Sequence, residues 1–179
     1  MHLDDRPLVI TLALDASAQR RFDDERRAYF PTGRTAVGAH VTLFHAVPGR
    51  LEPAVRADLA DVCRRAPFAV RVTEVMALGR GAGYRLEAAE LADVHARLRE
   101  RWHPDLTAQD RQGFRAHVTV QNKADAETAR RTVARLRADF HPFDVTATGL
   151  ELWRYDGGPW TSLARVAFAP RSGGEAAAR

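Results

Sequence analysis

The sequence predicts an α+β protein of two similar lobes, each an antiparallel sheet with helices on its outer side, with a cleft between them. Three observations carry this expectation. Along 179 residues, runs that alternate like strands take turns with runs striped at helical spacing. His40-Val41-Thr42-Leu43 returns 77 positions later as His117-Val118-Thr119-Val120. Pro67-Phe68-Ala69-Val70 returns 75 positions later as Pro142-Phe143-Asp144-Val145. Two matches at nearly one offset, in the same structural order, indicate a duplicated strand–helix–strand unit and a pseudo-twofold axis. The expected organisation is one bilobal domain over 1–170, with lobes of about 1–83 and 84–170 between which strands can swap, and a mobile tail at 171–179.

The elements follow from local chemistry. Pro7 to Leu14 is nearly continuous in apolar residues and reads as a buried strand. Asp15 and Ser17 are caps for a polar helix from Ala16 to Tyr29, which Pro31-Thr32-Gly33 stops. A strand is expected at Ala39 to Ala46, closed by Pro48-Gly49, then a helix from Glu52 to Arg65 with Leu51, Val55, Leu59 and Val62 on one stripe. Phe68 to Leu78 alternates like a half-buried strand and ends in the glycine-rich 79–83. The order then repeats: a short strand at Tyr84 to Leu86, a helix from Ala88 to Trp102, a loop with Pro104 and Gly113, a strand at Ala116 to Gln121, and a helix from Ala124 to Asp139. Phe143 to Tyr155 and Trp160 to Phe168 form a hairpin around Asp156-Gly157-Gly158-Pro159.

Composition narrows the class. With 45% hydrophobic and 28% charged residues the chain is an ordinary globular sequence. No apolar run approaches the ~20 residues of a membrane span, and Met1 to Arg6 lacks the apolar stretch of a secretory signal. The single cysteine, Cys63, can form no internal disulfide and reads as a packed hydrophobe, so a reducing cytoplasm is the expected setting. The net charge of +4 is spread evenly, with 12 basic against 10 acidic residues up to Gly83 and 15 against 13 beyond it. A dedicated basic tail or groove is therefore not expected.

The two His-Val-Thr segments carry the chemistry. Residues two apart on a strand point to one face, so each segment presents an imidazole and a hydroxyl together and sends Val41 or Val118 to the core. A twofold axis would set the two pairs opposite each other across the cleft. Imidazole can act as base or acid near neutral pH. A reaction that takes a proton from a nucleophile and gives one to a leaving group uses two, one on each side. The hydroxyls of Thr42 and Thr119 can donate to the oxygens of an anion held between them.

These paired motifs, half the chain apart in a basic protein of this size, resemble the two-histidine (2H) phosphoesterase superfamily. That group includes the 2′-5′ RNA ligase-like proteins and the cyclic nucleotide phosphodiesterases. The stretches from Phe114 to Lys123 and from Ala39 to His45 are most similar to bacterial 2′-5′ RNA ligase-like sequences, and the resemblance runs over about residues 7–168. Ala39 and Ala116 stand where members often carry proline before the histidine. The resemblance implies cleavage of a 2′,3′-cyclic phosphate or a 2′-5′ linkage in an RNA end or a nucleotide, without metal or cofactor. One of His40 and His117 would be base and the other acid, with Thr42 and Thr119 holding the non-bridging oxygens. A cytoplasmic monomer with no protein partner and no membrane association is expected.

Strand parity adds candidates for substrate binding. Arg115 shares a face with His117 and can neutralise phosphate, Gln121 on the same face can hydrogen-bond a base, and Phe44 on the face of His40 can stack one. In a regular strand His45 points away from His40. His95 falls on an apolar helix stripe and is expected in the core; Trp102, Trp153 and Trp160 read as core or hairpin-packing residues, of which one could line a nucleotide pocket. Two competing readings are a histidine-ligated metalloenzyme, for which two histidines supply too few ligands, and a non-catalytic module that grips an RNA or nucleotide phosphate.

Overall fold

The computed structural model describes residues 6–31, 33 and 37–170. The expected mobile tail at 171–179 lies outside them, as do Thr32 and His2. Among the described residues seven strands and five α-helices follow in chain order: β1 (Leu8–Leu14), α1 (Ala16–Tyr29), β2 (Val41–Val47), α2 (Glu52–Val62), β3 (Phe68–Ala77), β4 (Ala82–Glu87), α3 (Ala89–Trp102), α4 (Ala108–Arg111), β5 (His117–Gln121), α5 (Ala126–Ala138), β6 (Phe143–Tyr155) and β7 (Trp160–Ala167). The short α4 occupies what reads in sequence as loop; Thr107 caps it by accepting the Asp110 N–H.

The strands expected in two sheets are joined in one. All pairings are antiparallel, in the order β1-β2-β5-β4-β3-β6, and β6 returns to β1, so the sheet closes into a barrel with β7 added along β6. Besides β1–β6 and β3–β4, two further pairings join the early strands to the late ones. β3 and β6 run together from Phe68↔Ala147 to Val72↔Phe143, centred on Val70↔Val145. β2 and β5 meet at a single pair, Val41↔Val118. Every residue of β1 is buried, as befits a strand covered on both faces. The barrel interior and the helix-facing layer form one apolar core that includes Ile10, Phe22, Val41, Leu59, Val118 and Leu150.

Helix α1 packs on β5 and α5 on β3 and β4. Asp15 caps α1 by accepting the N–H groups of Ser17 and Ala18 at 3.0 and 2.9 Å, and its other oxygen accepts the Thr146 N–H of β6. The polar face of α1 then clamps the entry to β2. Gln19 donates to the Ala39 carbonyl, Asp23 accepts the Ala39 N–H at 2.7 Å, and Arg26 donates to the carbonyls of Val37 and Thr119. One guanidinium thus ties the approach to β2 to the strand β5 beside it.

Candidate active site

His40 stands at the entry to β2 and His117 opens β5, and both rings are anchored in the same way. Nδ1 of His40 donates to the Gly38 carbonyl at 2.8 Å, and Nδ1 of His117 donates to the Arg115 carbonyl at 2.9 Å. A carbonyl can only accept, so in each neutral ring the proton sits on Nδ1 and Nε2 keeps its lone pair. Both rings, with Thr42 and Thr119, line one cavity of about 200 Å³ that also includes Val9, His45 and Trp160. The strand faces read from sequence therefore meet: two imidazoles and two hydroxyls around a space of phosphate size. Burial lowers the His40 pKa, against the opposing bond to Gly38, and the charges of Arg26, His117 and His45 lower it further.

Two β-bulges decide which neighbours join this set. Thr11 faces Thr42 but Ile10 faces Phe44, so Leu43 is an extra residue in β2. Gly83 faces Thr119 but Ala82 faces Gln121, so Val120 is extra in β5. Each bulge reverses the alternation just after the threonine. Two sequence expectations are corrected by it. Phe44 is fully buried, stacked on His95 with ring centroids 4.6 Å apart and edge-on to Trp102 at 5.0 Å, and cannot meet a base. Gln121 is 1% exposed; its amide donates to the Tyr29 carbonyl and to Thr132 Oγ1, holding β5 to α1 and α5.

The same reversal brings in His45, which a regular strand would turn away. A second register shift between Leu8 and Ile10 leaves the N–H groups of His45 and Ala46 without strand partners. Asp110 of α4 accepts both, at 2.9 and 2.9 Å, and also receives His45 Nδ1 at 3.0 Å. Burial alone would raise the Asp110 pKa, but these donors outweigh it and hold the carboxyl below its ordinary range. No periodicity reports this: the only local sign is the adjacent apolar pair Leu43-Phe44.

Grooves continue from the cavity on both sides. Beside His40 a space of about 400 Å³ is lined by Leu12, Trp153, Trp160, Glu151 and Arg165. Trp160 lies 4.8 Å from the His40 ring, and Trp153 donates to Thr11 Oγ1 at 2.9 Å. Beside His117 a space of about 240 Å³ is lined by His45, Gln109, Gln112, Phe114 and Arg115. Arg115 is exposed there. His95 is buried as expected, and so is Cys63, whose thiol burial pushes up to about 12. Among the described residues no group of three His, Cys, Asp or Glu side chains is arranged to hold a metal ion, and no helix is long and apolar enough to cross a membrane.

Known proteins resemble this chain over most of its length. The family model described as the 2′-5′ RNA ligase superfamily matches residues 14–159. Curated protein sequences give no match. Among solved structures, the fold is similar to TT0787 of Thermus thermophilus, at 18% identity and TM-score 0.66, covering 92% of this chain and 99% of the other. It is similar to a structure described as a phosphoesterase, at 20% identity and TM-score 0.63, with the same coverage. It is also similar to LigT of E. coli complexed with 3′-AMP, at 15% identity and TM-score 0.61, again over 92% and 99%.

Proposed function

This chain belongs to the 2′-5′ RNA ligase superfamily, and we propose that His40 and His117 are the acid–base pair with which it works. It is a phosphodiesterase of 2′,3′-cyclic phosphates or 2′-5′ linkages that runs on proton transfer by its own side chains, without a metal ion. The observation that carries the assignment is the matched anchoring of the two rings around one cavity, each with Nδ1 committed to a backbone carbonyl and Nε2 free. One Nε2 takes the proton of an attacking water as the new P–O bond forms. The other, entering as imidazolium, gives its proton to the ribose oxygen as the old P–O bond breaks. In the ligation direction a ribose hydroxyl replaces the water. Thr42 and Thr119 donate to the non-bridging oxygens, where charge accumulates in the transition state. Trp160, beside His40, offers a face on which the nucleobase stacks. LigT, a protein of similar fold, holds 3′-AMP, which fits a nucleotide in this cleft.

The same reading extends to architecture. We infer two copies of a β-α-β-α-β unit forming two lobes, of about 1–83 and 84–170, in one domain. The pairs Val41↔Val118 and Val70↔Val145 each join a residue to its counterpart at the repeat offset. The β1–β2 and β1–β6 pairings have β4–β5 and β4–β3 as their counterparts, and the two bulges fall at equivalent places. The molecule is proposed to act as a monomer in the cytoplasm, a reducing setting that suits the buried Cys63.

The test is hydrolysis of an oligoribonucleotide ending in a 2′,3′-cyclic phosphate, with EDTA present. Acid–base groups contribute about 10² to 10⁴-fold each, so His40→Ala and His117→Ala should each lose at least ~10²-fold in kcat. The product, a 2′- or a 3′-phosphate, names the bond broken. A folded wild type that binds RNA but cleaves neither this end nor a 2′-5′ linkage would make the protein a phosphate-binding module instead.

A further inference from the structure

We propose that His45 and Arg115 form a second anion subsite, which takes a phosphate one nucleotide position away from the reacting one. The proposal rests on the phosphodiesterase reading for the placement of the first phosphate. His45 belongs to both the central cavity and the groove beside His117, and Arg115 lies farther along that groove. Nδ1–H of His45 is committed to Asp110, so Nε2 is the nitrogen left to face the cleft. A carboxylate behind an imidazole fixes the ring's orientation. Meeting an anion as imidazolium, the ring so held would present Nε2–H to it as a charged donor. The Asp110 carboxylate lies behind the ring, 1% exposed, with its oxygens taken by the three N–H groups of His45 and Ala46. It therefore offers an incoming anion no free oxygen, and Arg115 supplies the groove's exposed positive charge. Among the described residues Arg115 forms no ion pair, while Arg85 next to it is paired with Glu74.

The opposite groove has different chemistry. There Arg165 is 3.5 Å from Glu151, Arg20 stands at the wall, and the aromatic and apolar faces are Leu12, Trp153 and Trp160. The paired tryptophans suit that side to a planar base, and the His45 side takes the second phosphate. The shared ligand chemistry is a phosphate group, either a terminal 5′-phosphate or the diester of a longer strand.

Calorimetric titration separates these sources without turnover. The probes are adenosine 3′-monophosphate, adenosine 3′,5′-bisphosphate and the dinucleotide ApAp with a 3′-phosphate. The wild type should bind at least one two-phosphate probe about tenfold tighter than the monophosphate, the scale of a charge-assisted hydrogen bond. A gain with the bisphosphate assigns a terminal phosphate; a gain with ApAp alone assigns the strand diester. His45→Ala and Arg115→Ala should each reduce the gain, and His45→Gln, which keeps an N–H without the charge, should retain part of it. Asp110 is a positioning residue: Asp110→Asn should lose the gain as His45→Ala does and add nothing to that variant. Equal affinity for all three probes overturns the proposal, as does a gain that survives both alanine substitutions. A wild type that shows the gain but hydrolyses nothing would sink the catalytic reading and leave the subsite standing.

Discussion

His95 shows what burial does to an imidazole with no proton to move. Its ring lies between Phe44 and Phe114, with centroids 4.6 and 4.0 Å away, and burial lowers its pKa to about 4. Protonation therefore favours the unfolded chain, where histidine titrates near its ordinary ~6.5. The stability this residue contributes is complete above that value and is lost as pH falls through the folded pKa, a total of about 3 kcal/mol. Thermal melts between pH 7 and 4 should show this loss, and His95→Phe should flatten it. His40 is also lowered, by burial first, but its Nε2 faces the cleft. With His40 as base, kcat/KM should rise with pH along a limb lying below histidine's ordinary value. Arg26→Met removes one of the cations that hold it down and should move that limb upward in a pH–rate profile. His40, Thr42, His117 and Thr119 were legible as residues because strand parity up to the threonine is unbroken in both motifs.

Beyond the threonine, the element rather than the residue decides. Parity assigns Phe44 and Gln121 to the cleft, and one extra residue in each strand sends both to the core. A bulge has no periodicity of its own, so it leaves at most a break in alternation: Leu43-Phe44 is such a break, whereas Val120-Gln121 is not. The partner that secures His45 lies 65 positions along the chain, in a four-residue helix that reads as loop. Strands β4 and β5 approach so closely that a Cβ on Gly83 would lie 2.5 Å from the Val118 carbonyl oxygen. Gly83→Ala should therefore cost about 1–3 kcal/mol, the usual range for overpacking. Because the displaced strand carries His117, turnover at saturating substrate should fall as well; denaturant melts and kcat measured together would check both effects.

At the scale of the molecule, closure of the barrel was the least legible feature. Local patterns name strands but not their partners, and the ring depends on β1 pairing with a strand about 140 residues away. Protection should follow that map. Amides of β1 and β6, paired over seven positions, should exchange slowest, and those along the β2–β5 seam, with its single pair, fastest among the core strands. Native-state hydrogen exchange reads this directly; uniform protection around the ring would contradict it.

The three pairings of β6, with β1, β3 and β7, bear on how the chain is made. A ribosome delivers β1 first and β6 more than a hundred residues later. Until that strand emerges, β1 and β3 each present an open edge above an uncovered apolar layer, the state in which nascent chains pair wrongly or seek a chaperone. Both histidines have left the ribosome by then, yet the barrel that frames them is still open. Translation stalled before residue 143 would release a chain that carries both motifs and lacks the strand that closes the ring.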